Sequence, residues 1–143
     1  DMANNKSNYL EQKVIEYTLG KTTAAFTVTP VWMALCLSGP AEADTGASLS
    51  EAQYTGYVRC GVSASQLSTA VTSADGGMVV SNVSVLTFPP CAGSSALITG
   101  FAICDASAAG NVLYYGAVSP SKTIDINNTP PTIAVGGLAI SEL

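Results

Sequence analysis

Ten carboxylates and four thiols are the side chains with the clearest claim to reactive chemistry in this 143-residue sequence, which contains no histidine. That absence removes the commonest general base, and with it the Ser-His-Asp and Cys-His arrangements. Paired carboxylates could still hydrolyse a glycosidic bond, and Glu42 with Glu51 or Asp105 with Asp125 are the pairs on offer. All four sit beside turn residues, where a carboxylate more simply bonds nearby backbone amides. There is no GxSxG, no phosphate-cradling P-loop and no GxGxxG. The expectation is therefore no enzyme and no cofactor.

Metal chemistry fares no better. Cys36, Cys60, Cys91 and Cys104 stand far apart without a CxxC spacing, so no zinc site is indicated. Cys36, Cys60 and Cys104 lie in apolar runs and read as small buried hydrophobes, whereas Cys91 lies in a turn and is the one expected to be accessible. Glu42, Asp44 and Glu51 share a long loop, but they miss the alternating carboxylate pattern of a calcium loop. A solvated loop is the expectation there.

Composition narrows the partners. Apolar residues make up 48% and charged residues only 10%, well under the roughly 25% charged that is typical. Part of the surface should be buried against other copies or another protein. Through Lys21 three acids balance three lysines, while beyond it seven acids face only Arg59 and Lys122. Such a body cannot neutralise several phosphates, so direct nucleic-acid binding is not expected. No apolar run approaches the ~20 residues of a membrane span, and the polar start DMANNKSNYLEQ does not read as a secretion signal. Synthesis and assembly in a reducing cytoplasm, without disulfides, is the simplest expectation.

The elements that would position these groups are mostly strands. Residues 1–7 are polar and read as an arm that orders on contact; residues 8–143 read as one domain. Asn8 with Glu11 and Gly20 bracket a helix over about 8–19, in which Leu10, Val14 and Tyr17 share a face that must be covered. From Thr22 the pattern turns to β: TTAAFTVTP, then VWMALCL, apolar on both faces and so central, with Trp32 as a core anchor. YVRCGV follows the loop Ser38–Gln53. The runs Val83–Phe88, Ala96–Cys104 and Val112–Val118, separated by PPCAGSS and DASAAGN, read as a three-stranded meander. Tyr114 and Tyr115 within it should point to opposite faces. After Ser119-Pro120, KTIDI is a short strand, and TIAVGGLAI closes the chain as a strand with a Gly-Gly bulge. The fold class expected is all-β, an antiparallel β-sandwich or jelly-roll-like barrel of about eight strands with one short N-terminal helix.

The ordered set NYLEQKVIEYTLGKTTAAFTVTPVWMALCL, GYVRCGV, SNVSVLTFPPC, LITGFAICDASAAGNVLYYGAVSPSKTI and the closing GGLAI resembles small virion structural proteins of tailed bacteriophages, over about Asn8 to Ile140. Its most specific part is FAICDASAAGNVLYYGA. The resemblance implies no catalytic residues and implies repeated copies, with a trimer favoured. Small size, low charge and the polar arm place a capsid decoration protein first, bound to the major capsid protein on the outer capsid surface. A tail or tail-fibre component involved in host attachment is the alternative. Candidate partner contacts are Asn4, Asn5 and Lys6 of the arm, Glu42 and Asp44 of the long loop, and Tyr115.

Overall fold

The computed structural model describes residues 2–22, 28–128 and 130–142. Strand β2 (Val31–Cys36) is central, as its two apolar faces require. It lies between β3 (Cys60–Val62) and β7 (Ala96–Cys104), and β7 pairs in turn with β8 (Val112–Ile124). β1 (Met2–Lys6) completes an antiparallel sheet of order β1-β8-β7-β2-β3. Two small sheets oppose it. One is β4 (Val71–Thr72), β5 (Met78–Ser81) and β10 (Ala139–Glu142); the other pairs β6 (Leu86–Thr87) with β9 (Thr132–Ile133).

The main core fills the space between the layers. Met33, Leu35, Phe101 and Ile103 from the large sheet meet Leu86, Phe88 and Leu138 from the other side. Each such buried side chain contributes on the order of 1.5–3 kcal/mol. The opposite face of the large sheet carries small residues, Ala34, Cys36, Ala102 and Cys104, joined by Val112. Their small size lets Leu49 of the long loop and the ring of Tyr115 pack close. The result is the expected all-β, sandwich-like fold.

Helix α1 (Asn8–Thr18) is capped one residue earlier than expected, by Ser7. Ser7, fully buried, accepts from the Leu10 amide at 3.1 Å, and its hydroxyl donates to the Val112 carbonyl of β8. The cap thus fastens the helix to the sheet. Gly20 ends it in the left-handed region at φ 71°, with Gly20 N–H donating to Tyr17 O and Lys21 N–H to Glu16 O, the two bonds of a Schellman closure.

Several expectations are corrected. The polar arm is a strand: Met2–Lys6 pairs with β8 from Met2↔Val118 to Lys6↔Tyr114, because an edge strand draws its stability from backbone pairing and tolerates polar side chains. The meander is one hairpin, β7–β8. Val83 and Val85 are exposed, and the Leu86–Thr87 segment pairs with β9 instead of β7. KTIDI is no separate strand: Lys122–Ile124 continues β8 beyond a bulge in which Val118–Ser121 oppose Thr99 alone. TIAVGGLAI divides into β9 and β10, in different sheets, through a turn closed by Gly137 N–H to Ala134 O. Trp32 is half-buried outside both core clusters and lies over Gly61, where a Cβ would stand 3.1 Å from its ring. Cys91 is buried with the other three cysteines, its sulfur 3.4 Å from Gly93 O. Of the strand expected in TTAAFTVTP, residues 23–27 lie outside the described residues.

Candidate functional site

β1, the start of α1 and the end of β10 converge at the β1 edge of the large sheet. The shallow groove they enclose, about 460 Å³, is lined by Asn5, Lys6, Glu11, Glu42, Tyr115 and Glu142, together with Ser141. Four of the sequence candidates, Asn5, Lys6, Glu42 and Tyr115, are therefore neighbours, although they come from three separated stretches. β1 brings Asn5 opposite Tyr115 and Lys6 opposite Tyr114 by register. Glu42 is drawn in because its carbonyl accepts from the Asn8 amide at 3.0 Å. The Asn4 backbone stands opposite Gly116 in the same strand. Asp44 instead shapes the long loop, where its carboxylate accepts from the Ala41 amide at 2.7 Å and from the Ser48 hydroxyl at 2.8 Å.

Charge in the groove is predominantly acidic. Lys6 is held 3.0 Å from Glu142, whose other oxygen accepts from the Tyr114 hydroxyl at 2.8 Å. Burial and that bond push the Tyr114 phenol up. Desolvation, followed by the carboxylates of Glu42, Glu11 and Asp44, also raises the Tyr115 phenol. Tyr114 turns into the main core while Tyr115 packs on the small-residue face, so the pair divides between faces as the strand periodicity predicts. Such a surface suits a polar or cationic protein partner.

In each carboxylate pair considered for hydrolysis at least one member is engaged elsewhere. Asp105 accepts from Asn111 N–H at 2.7 Å and from the Asn111 side-chain amide at 2.9 Å, which closes the DASAAGN turn. Asp125 accepts from the Asn127 amide. Both oxygens of Glu51 are taken by Arg59, at 2.9 and 3.0 Å, and one also by the Tyr57 hydroxyl at 2.6 Å. Among the described residues no group of three or more His, Cys, Asp or Glu is placed to hold a metal ion.

Arg59 is the residue that sequence reasoning missed. Its remaining N–H groups donate to Ala106 O, Ala109 O and Gly46 O, so one guanidinium joins the edge of β3, the long loop and the β7–β8 turn. Burial is the largest single influence and works against its charge, but the Glu51 hydrogen bonds together with the charges of Cys104, Glu51 and Tyr57 outweigh it and raise the guanidinium above its ordinary value. A lone cation inside the apolar run YVRCGV was the available signal. Gly46 makes this approach possible, since a Cβ there would stand 1.8 Å from Ala109 O.

A family model described as Podophage GP4 fiber I protein gp80 matches residues 5–141. The chain belongs to that family. A search of curated proteins finds no match. The family match runs from Asn5 in β1 to Ser141 in β10, so it takes in both layers of the sandwich and every lining residue of the acidic groove but Glu142. The resemblance to phage virion structural proteins read from the sequence is thereby shown, and the fibre named in the family description agrees with the alternative function at least as well as with capsid decoration.

Proposed function

We propose that this chain is a non-enzymatic subunit of a podophage tail fibre, which places second the capsid-decoration reading that the sequence favoured. The observation that carries this is the family match over residues 5–141, whose description names a fibre protein. The physical chemistry supports a structural role. Of the candidate acids, Asp105 and Asp125 are spent on turns and Glu51 on the Arg59 clamp, and the charge-poor surface suits contact with other virion proteins. The groove lined by Asn5, Lys6, Glu42 and Tyr115, beside Asn4, is the contact surface we assign to a neighbouring virion protein. Asp44 contributes there only by fixing the loop that carries Glu42.

Locating the chain in intact virions tests this reading. Antibody labelling and quantification against the major capsid protein should find it confined to the tail, in a few tens of copies at most. Label distributed over the whole shell, in numbers comparable with the capsid subunits, would overturn the fibre assignment in favour of decoration.

A further inference from the structure

We propose that the cleft between β9 and the last residues of β8 takes an extended segment of another protein as an added strand. The cleft, about 640 Å³, shares no lining residue with the acidic groove. Phe88, Ile98 and Ile124 of the main core form its apolar floor, and Lys122, Thr123, Asn128 and Thr132 stand on its walls. Both walls are strands with one edge open. β1 pairs with β8 no further than Val118, and beyond that point β8 has only β7 as a strand neighbour. β9 pairs only with β6. Phe88 N–H donates to Pro131 O at 2.9 Å, so Thr87↔Thr132 is the pair without mutual hydrogen bonds, and Thr132 N–H and C=O point away from β6. Neither has a partner among the described residues. On the β8 wall the Asn128 carboxamide donates to Thr123 O and accepts from Asp125 N–H at 2.8 Å, the pairing that a neighbouring strand would offer.

Backbone and charge together select the occupant. An apolar small molecule would cover the floor but leave the Thr132 backbone unmet. A strand meets both, with main-chain bonds to the open edge and alternate side chains in the cleft. Every described strand of this chain is already paired in a sheet of its own, so the added strand comes from another protein. Lys122 is exposed and makes no ion pair among the described residues, whereas Arg59 is spent on Glu51. It favours a carboxylate on the incoming segment. The partner is thus an extended run of alternating apolar and small polar residues with an acid placed beside Lys122, whether the chain sits in the tail or on the shell.

Fluorescence polarisation of the whole chain tests this with a set of synthetic peptides in which Val or Ile alternates with Thr or Ser and a single Asp is walked along the sequence. Saturable binding is expected, strongest at one Asp position. Lys122→Glu should weaken that peptide by about fivefold at low salt and by less at high salt. Thr132→Pro, which deletes the open N–H without touching a bond inside the chain, should weaken it by about three- to tenfold, while Thr132→Ala should not. N-methylation of the peptide at alternate residues should cost a similar factor on one set of positions and little on the other, a readout that needs no variant to fold. Absence of saturable binding by every peptide would overturn the proposal, as would affinity that ignores both Lys122→Glu and Thr132→Pro. Indifference to N-methylation would assign the cleft to an apolar molecule, and self-association that excludes the peptide would assign it to a second copy; either result also overturns it.

Discussion

Arg59 and Glu51 meet in a two-point ion pair, Nε to Oε2 at 2.9 Å and Nη2 to Oε1 at 3.0 Å, with the arginine side chain only 2% exposed. Removing one partner of such a pair strands the other. Arg59→Leu leaves Glu51 uncompensated and three loop carbonyls without donors, and should cost about 3–5 kcal/mol. Arg59→Lys should recover only part of this, because a point ammonium cannot reproduce the planar fork. Urea unfolding midpoints of the two variants against wild type measure both effects.

Alkaline pH should unfold the protein earlier than neutral pH. Burial, aided by Glu51 and Cys104, pushes the Cys36 thiol from 9.0 up to about 12, and burial pushes Cys104 up to about 11. Tyr57 and Tyr114 are raised as well, first by burial and then by their bonds to Glu51 and Glu142. In each case the unfolded chain releases its proton first, so the unfolded state binds fewer protons and stability falls with rising pH. The stability is fully present below about pH 9 and declines above it as unfolded thiols ionise. Chemical unfolding at pH 7, 9 and 10.5 checks the direction. In the same experiment a thiol reagent at pH 8 should label none of the four cysteines until denaturant is added, since all are buried.

Gly46→Ala should be far worse than Gly39→Ala. The added methyl at Gly46 would meet Ala109 O at 1.8 Å, and Gly110 O at 2.9 Å, both backbone atoms that cannot swing away. At Gly39 it would meet nothing within 4 Å. The first substitution must part the long loop from the β7–β8 turn and should cost about 1–3 kcal/mol or more, with Arg59 losing its bond to Gly46 O as a consequence. Thermal melting of the two variants side by side gives the comparison.

Asn82→Asp should be acid-rescued. Asn82 is buried, its amide donating to Ser84 O and Ala134 O while its oxygen accepts from Leu138 N–H. A carboxylate in its place would face two carbonyl oxygens in a buried site, which raises its folded-state pKa above the unfolded value. The folded state then binds more protons, so the variant regains stability as pH falls toward 4 and loses it again as pH rises. Unfolding of Asn82→Asp and Asn82→Ala across pH 4–7 separates this from simple loss of packing, because the alanine variant should show no such rescue.

Local chemistry was legible in the sequence and long-range pairing was not. VWMALC announces a central strand because both its faces are apolar, and Asp105 with Asn111 announces the β7–β8 turn because their side chains close it over six residues. Gly20 marks the helix end for an equally local reason. By contrast, the partner of Leu86 is Ile133, and nothing in either short segment specifies the other. β1 is hidden for the same reason, its pairing lying more than a hundred residues away on β8. The Arg59 clamp escaped notice because three of its acceptors are backbone carbonyls, which leave no trace in residue type. The acidic groove was half visible: Asn5, Lys6, Glu42 and Tyr115 could be singled out as polar or aromatic, but Glu11, Ser141 and Glu142 join them only through the fold.

The contact between Lys6 and Glu142 also ties the large sheet to the three-stranded sheet opposite it. β1 and β10 lie side by side, one at each extremity of the described chain. Lys6 and Tyr114 of the large sheet both reach Glu142, so one carboxylate on β10 bridges the two layers at that corner. The sandwich is thus stapled at its margin by a polar cluster that stands apart from the apolar packing between its layers.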